Sequence, residues 1–171
     1  MQFFDVVRER HSMRAYSAQP IEPANLQQIL ETINRAPSAG NLQAFEVYVV
    51  TDIQHKAALV EASYVQEFLA QAPLVLIFCA HAARSADRYG KRGIDLYSVQ
   101  DATIACTFAM LSATALGLST VWVGAFDEEA VRRIIGVSQA LRPVAMLPVG
   151  YAAASPRLRP RRNLDDLVHQ V

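Results

Sequence analysis

The stretch Arg10-His11-Ser12-Met13-Arg14-Ala15-Tyr16 places two arginines and a serine at alternate positions. In an extended backbone, side chains at i, i+2 and i+4 point to one side, so Arg10, Ser12 and Arg14 form a single row. That row suits a phosphate dianion, because arginine donates hydrogen bonds in a planar fork and stays charged at any working pH. The alternative is an ordinary surface segment whose arginines pair with acidic side chains.

A second basic row lies in residues 156–164, where Arg159 and Arg161 repeat the spacing of two. By itself, a basic segment of this kind is usually only solvated. The two rows together are stronger evidence for a phosphate-binding site than either row alone.

The composition predicts one domain over residues 1–171 with a sizeable core. Its hydrophobic fraction of 52% is slightly above the soluble average, so we expect another subunit to cover some of that surface. The 16 basic and 16 acidic residues cancel and imply no nucleic-acid partner. Cys79 and Cys106 lie in apolar runs, which favours reduced thiols in a cytoplasmic protein over a disulfide or metal site. Charged residues in the first ten positions exclude a signal-peptide core there.

Hydrophobic periodicity predicts two helices near the start of the chain. Phe3, Val6 and Val7 fall on one face of a short helix over residues 2–9. The second helix has Pro23 in its first turn, ends before Pro37, and carries apolar residues at i, i+3, i+4 and i+7: Leu26, Ile29, Leu30 and Ile33.

Capping residues and apolar runs predict the elements that follow. They are a strand over 45–51, a helix from its N-cap Asp52 through residue 62, a helical piece over 64–71, a buried strand over 74–79, a short helix from its cap Asp127 to Gly136, and a last strand over 144–149 with Pro148 at an edge or strand end. The charged residues 84–95 read as a solvated loop or helix start, or as the rim of a substrate entrance.

Residues 102–126 contain no charged side chain. Their length is compatible with a membrane span, but several Ser and Thr residues and Gly117, a typical helix C′ residue, favour a buried helix. Because that helix is apolar on nearly all sides, we expect it to pack into a subunit interface.

Residues 36–43 form a loop of small and polar side chains. Gly40 and Asn41 tolerate positive φ, and small side chains let a ligand approach the backbone. A plain helix-to-strand connector is the alternative. No P-loop, G-x-G-x-x-G, G-x-S-x-G or H-E-x-x-H motif occurs, which argues against the corresponding chemistries.

Four segments, in this order, resemble the nitroreductase family of FMN-dependent oxidoreductases. Arg10–Tyr16 resembles its opening Arg-x-Ser-x-Arg-x-Phe/Tyr motif, and Ala36–Gln43 its Ala/Ser-Pro-Ser-x-x-Asn-x-Gln motif. Residues 116–126 resemble its third motif, and Pro148-Val149-Gly150-Tyr151 followed by Arg159-Pro160-Arg161 its last. The resemblance covers essentially the whole chain.

The resemblance implies an α+β fold with a mostly antiparallel central sheet flanked by helices. It further implies an intertwined homodimer with FMN at the interface, each flavin touched by both chains. The apolar helix over 102–116 is then the interface helix. NAD(P)H and a small-molecule acceptor are the implied partners.

The resemblance also implies roles for individual residues. Arg10, Ser12, Arg159 and Arg161 hold the phosphate and ribityl chain, with His11 in the same motif. Arg14 lies near the pyrimidine edge, where its charge favours the anionic reduced flavin. The remaining contacts are Pro37, Ser38, Ala39 and Asn41 on one face and the ribityl side, and backbone of Val123, Gly124 and Ala125, with an amide donating to N5. No catalytic side chain is implied, because the flavin supplies the chemistry.

Three departures from the family pattern stand out. Ala44-Phe45 replaces the usual Pro-Trp. The family often places a lysine or other polar side chain near the pyrimidine from the segment before the second strand, and here Gln66 is the candidate in that segment. The helical excursion of larger members, which helps to cover the substrate, is absent, so the substrate class stays open.

Three functions share these motifs. The leading hypothesis is an NAD(P)H-dependent reductase that passes a hydride through flavin N5 to a nitro, quinone or similar acceptor by a ping-pong mechanism. The alternatives are an FMN-binding or storage protein with little turnover and a specialised flavin-dependent dehydrogenase of the same fold.

Overall fold

The computed structural model describes residues Met1–Val171 and is built on a four-stranded antiparallel sheet. The strands are β1 (Phe45–Val50), β2 (Leu74–His81), β3 (Ser119–Thr120) and β4 (Leu141–Gly150). Their spatial order is β1-β2-β4-β3, and every neighbouring pair is antiparallel. The predicted α+β architecture is therefore confirmed.

Helices cover both faces of this sheet. On one face lie α2 (Pro23–Asn34) and α6 (Ser98–Ala115), and on the other lie α3 (Ile53–Ala62) and α7 (Glu128–Ile135). The remaining helices are α1 (Phe3–Glu9), α4 (Phe68–Gln71) and α5 (Ala82–Arg92). A π-helical turn over Gly93–Tyr97 connects α5 to α6.

The apolar strand β2 separates two hydrophobic clusters. Successive side chains of a strand point to opposite faces, so Leu76 and Phe78 pack with α2 and α6, whereas Val75 and Ile77 pack with α3 and α7. All four side chains are fully buried. This confirms the prediction of a strand buried on both faces.

Local capping signals fix several helix ends as predicted. The Asp52 side chain accepts a hydrogen bond from the backbone N–H of His55 at 2.9 Å and begins α3. Asp127 accepts from Ala130 N at 3.0 Å and begins α7. Gly117 (φ +75°) follows α6, and Gly136 (φ +69°) ends α7; this left-handed geometry suits glycine because it has no Cβ.

The predicted apolar face of α1 is only partly buried. Val6 is buried, but Phe3 and Val7 are 63% and 48% exposed, and the neighbouring Phe4 is 73% exposed. The periodicity gave the helix correctly, whereas no element of the same chain covers the phenylalanines.

The helical piece predicted over residues 64–71 is shorter than expected. Only Phe68–Gln71 is helical, and Tyr64 and Val65 adopt left-handed φ values of +57° and +63°. The chain reverses there, directly after α3, and Val65 N donates to Val60 O at 3.0 Å. Residues 84–95 lie in α5 and the π-helical turn, with a non-helical break at Gly90 (φ +53°), which confirms the predicted helix start.

Helix α6 is the buried helix predicted from the uncharged run, and it begins four residues earlier, at Ser98. No helix in the structure is both long enough and apolar enough to traverse a bilayer. Small residues fill the side of α6 that packs in the chain's own core: Ala102, Ala105, Cys106, Ala109 and Ala113. The opposite side forms what we call the α6 stripe, which is partly exposed and consists of Ile104, Thr107, Phe108 and Leu111.

Pro148 lies near the end of β4, which confirms the predicted position at a strand end. The other reading, an edge strand, is wrong, because β4 lies between β2 and β3. β3 pairs only with Val149 and Gly150, beyond the proline.

The two buried cysteine thiols predict that the protein loses stability at alkaline pH. Burial raises the pKa of Cys79 to about 12 and raises the pKa of Cys106 further. Such groups stabilise the fold fully below their unfolded pKa, about 8.5, and that stabilisation is lost as the pH rises towards the folded pKa. The expected slope is about 1.4 kcal/mol per pH unit for each thiol.

The measurement is urea unfolding between pH 7 and 10.5. A variant carrying Cys79→Ala and Cys106→Ala serves as the matched comparison and should lose most of the two-thiol slope. A variant with the wild-type slope would contradict the assignment to the thiols.

Candidate functional site

Hydrogen bonds to β3 and to the segment that follows β4 hold residues 12–17 in place. Met13 N donates to Thr120 O at 2.9 Å, and Ser12 forms a parallel bridge with Thr120 of β3. On the other side, Ser17 N donates to Tyr151 O at 2.9 Å and Ala153 N to Ala15 O at 2.9 Å. The segment after β4 therefore runs beside residues 12–17.

This pairing brings the two basic rows together. Burial of Met13 turns the neighbouring Ser12 and Arg14 outwards, where both are exposed. A cleft of about 740 Å³, which we call the arginine cleft, is lined by Val7, Arg8, Arg10, His11, Ser12, Arg14, Arg157, Leu158, Arg159 and Arg161. All five residues of the two rows lie in it, together with His11.

The lining of the arginine cleft contains hydrogen-bond donors and positive charge but no carboxylate. Arg8 pairs with Asp5, whereas the other five arginines form no ion pair. Nδ1 of His11 donates to Glu9 O at 2.8 Å, which orients the imidazole. Unpaired guanidiniums beside a serine hydroxyl fit a phosphate dianion, and the reading as acid-paired surface arginines does not apply here.

The loop of residues 37–41 lies away from this cleft. None of its residues lines the arginine cleft. Gly40 and Asn41 both have φ +57°, as their residue types predicted, and Ser38 Oγ accepts from Gln43 N at 2.9 Å. Pro37 and Asn41 are exposed, and Ser38 and Ala39 are half-buried.

Residues 123–125 form a third group, next to β4. Val123 exchanges two hydrogen bonds of 2.9 Å with Met146 and is buried. Gly124 and Ala125 are exposed, and their N–H groups donate to no acceptor in the chain. Two backbone N–H groups at this point are therefore without a hydrogen-bond partner in the chain.

Gln66 belongs to the same group. Its Nε2 donates to Ala125 O at 3.0 Å and to Ser63 O at 2.9 Å. The structure thus brings the polar candidate that precedes β2 to the segment whose backbone was expected to meet the flavin ring.

Two features of the site were missed by the sequence reading. Arg157 lines the arginine cleft although it was assigned no role. Asp101, in the first turn of α6, is 1% exposed and accepts hydrogen bonds from Ala39 N and Ala44 N. The available signal was a single acidic residue directly before a long uncharged run.

The fold and these segments match known proteins over most of the chain. The model of the nitroreductase family matches residues 7–66 and 62–151. An NADH dehydrogenase of Thermus thermophilus is 30% identical over 172 aligned positions, covering 85% of this chain and 84% of that protein. An FMN reductase [NAD(P)H] of Bacillus subtilis is 28% identical and covers 95% of this chain and 70% of its own length.

Solved structures agree with the sequence comparison. The structure of NfrA2 from B. megaterium superposes with a TM-score of 0.91 at 27% identity and covers 99% of this chain and 74% of that chain. The match over nearly all of the chain includes the sheet and the segments that form the arginine cleft and the 37–41 loop. With its sequence, its fold and its motifs in agreement, the chain belongs to the nitroreductase family.

Proposed function

We propose that this protein is an FMN-dependent oxidoreductase that takes a hydride from NAD(P)H and delivers it to a nitro, quinone or similar small-molecule acceptor. Relatives named as FMN reductase and as oxygen-insensitive NADPH nitroreductase support this class of activity. When bound, FMN would supply the redox chemistry: its N5 would accept a hydride from NAD(P)H and pass it to the acceptor in alternating half-reactions.

The observation that carries the proposal is the arginine cleft. Arg10, Ser12, Arg159 and Arg161 are the proposed ligands of the FMN phosphate and ribityl chain, with His11 beside them. Because none of these arginines has an anionic partner in the chain, a phosphate gains charge-assisted hydrogen bonds without displacing an ion pair. Arg14, in the same cleft, is the proposed neighbour of the pyrimidine edge.

The free amides of Gly124 and Ala125 are the proposed donors to the isoalloxazine. Backbone N–H groups without a partner in the chain can donate to a ring nitrogen such as N5 without first breaking a hydrogen bond. Gln66, whose Nε2 donates to Ala125 O at 3.0 Å, is the proposed contact for the polar edge of the ring. No side chain is required as a nucleophile or general base.

A homodimer completes the proposed site. Within one chain the 37–41 loop lies outside the arginine cleft, so we propose that Pro37, Ser38, Ala39 and Asn41 contact the flavin held by the partner. The partly exposed α6 stripe is the proposed centre of the interface. The two free, buried thiols fit a reducing, cytoplasmic location.

The purified protein is expected to be yellow and to contain about one noncovalent FMN per chain. Heat denaturation should release a flavin that chromatographs as FMN, since the cleft offers ligands for one phosphate dianion. Release of FAD, or no flavin binding after reconstitution with FMN, would overturn the cofactor assignment.

Anaerobic stopped-flow mixing with NADH and with NADPH tests the activity itself. Rapid loss of the oxidised flavin absorbance with either donor supports the reductase. A flavin-loaded protein that neither donor bleaches contradicts it and favours storage or specialised flavin chemistry.

A further inference from the structure

Asp101 is a buried acidic residue that is not among the proposed flavin contacts. It is 1% exposed in the first turn of α6 and forms no ion pair. Acidic side chains are almost never fully buried unless they are paired, because burial in a low-dielectric interior is costly. The hydrogen bonds that Asp101 makes must therefore matter to the fold or to the site.

Both carboxyl oxygens of Asp101 bind the backbone around the 37–41 loop. Oδ1 accepts from Ala39 N at 2.9 Å, and Oδ2 accepts from Ala44 N at 3.3 Å. One side chain thus clamps the chain at two points five residues apart. The anchor Ala39 and the enclosed Asn41 are both proposed flavin contacts.

The clamped backbone is strained between its two anchor points. Gly40, Asn41 and Gln43 have φ values of +57°, +57° and +47°. Glycine and asparagine adopt left-handed φ readily, but for Gln43 this conformation is unfavourable and persists only where surrounding contacts enforce it. The Asp101 bonds at both ends are such contacts.

The clamp also lies beside the proposed subunit interface. Asp101, Ala39, Thr103 and Ile104 line one shallow cleft of about 400 Å³. Ile104 is the first residue of the α6 stripe, so the loop and the stripe are presented on the same side of the chain.

We infer that Asp101 is a positioning residue of the FMN site: it fixes the 37–41 loop in the shape that contacts the flavin of the partner subunit. This inference rests on the proposed function, because it takes FMN as the ligand and the homodimer as the assembly. The competing role is structural only, an acidic side chain at the start of α6 that favours the helix dipole.

The first experiment compares Asp101→Asn with Asp95→Asn. Asparagine retains one acceptor oxygen but turns an NH₂ group towards the second backbone N–H, so the loop loses an anchor. FMN affinity, measured by fluorescence titration of the apoprotein, should fall roughly 10-fold or more, as expected for loss of a hydrogen bond to a charged group. Asp95, which is exposed and pairs with Lys91, is the control and should leave the affinity unchanged.

A role in helix stability alone predicts a different result. Asp101→Asn would then lower the unfolding temperature without changing FMN affinity or the visible circular dichroism of the bound flavin at saturating FMN. That outcome would overturn the inference and leave the proposed function standing. Absence of FMN binding by the wild-type protein would instead overturn the proposed function.

Asp101→Glu is the second variant, for the case in which Asp101→Asn does not fold. It retains both carboxyl oxygens but displaces them by one methylene, so it should fold and bind FMN more weakly than the wild-type protein. Wild-type affinity in this variant would overturn the inference.

Mixed dimers test whether Asp101 serves the flavin of the partner. Co-expression of Asp101→Asn and Arg10→Ala chains with different tags gives a heterodimer in which one site combines an intact arginine cleft with an intact loop. That heterodimer should bind one FMN per two chains with wild-type affinity. If both of its sites remain weak, the loop acts within its own chain and the inference is wrong.

Discussion

Arg10→Ala is expected to weaken FMN binding roughly 10- to 150-fold, which corresponds to the loss of a charge-assisted hydrogen bond worth about 1.5–3 kcal/mol. Arg10 lines the arginine cleft without an ion-pair partner, so its removal leaves no acidic group of the protein unpaired. Fluorescence titration of the apoprotein with FMN measures the change. Arg162→Ala is the matched control, because Arg162 does not line the cleft and instead contacts Asp166 O.

The reduction potential separates the role of Arg10 from that of Arg14. Arg10→Ala should leave the potential of the bound flavin nearly unchanged, because the proposed phosphate contact is far from the reacting ring. Arg14→Ala should lower the two-electron potential by tens of millivolts, at about 30 mV per 1.4 kcal/mol. A xanthine oxidase titration of both variants with excess FMN measures this. The opposite pattern would mean that the flavin lies in the reverse orientation.

Ile104→Glu is expected to abolish both the dimer and flavin binding. The α6 stripe that contains Ile104 is partly exposed in the single chain, so the glutamate can reach water in a monomer but introduces a charge into the proposed interface. Light scattering and the flavin absorbance of the purified protein measure the two losses.

Ile53→Glu is the control for this substitution. Ile53 is 74% exposed and begins α3, on the other face of the sheet, so this variant should remain a flavin-loaded dimer. A flavin-loaded monomer of Ile104→Glu would contradict the shared site. Ala109, on the same helix, is unsuitable for such a test because it is fully buried in the chain's own core.

Features that depend on neighbouring residues could be predicted from the sequence. The caps Asp52 and Asp127 bond backbone groups three residues away, and the glycines after α6 and α7 supply left-handed φ at the helix ends. Helix α2 could likewise be predicted from the helical period alone, because its apolar residues recur at i, i+3, i+4 and i+7. Each of these signals is carried entirely by residues that are neighbours in the sequence.

Features that depend on distant segments could not be predicted in the same way. The exposure of Phe3 and the reversal at Tyr64 and Val65 are decided by what other elements cover or leave open. The buried carboxyl group of Asp101 has a role only because the 37–41 loop folds over it. The meeting of the two arginine rows was expected from family resemblance, and the spacing alone gave no reason for it.

The arginine cleft joins two parts of the chain that are far apart in sequence, residues 8–14 and 157–161. Between them, the unpaired guanidiniums repel one another until an anion is present. A phosphate bound there would act as a noncovalent cross-link that ties the segment after β4 to the segment after α1. Because a ligand that binds only the folded state adds RT ln(1 + [L]/Kd) to the unfolding free energy, the stability of this protein becomes a function of the free FMN concentration around it.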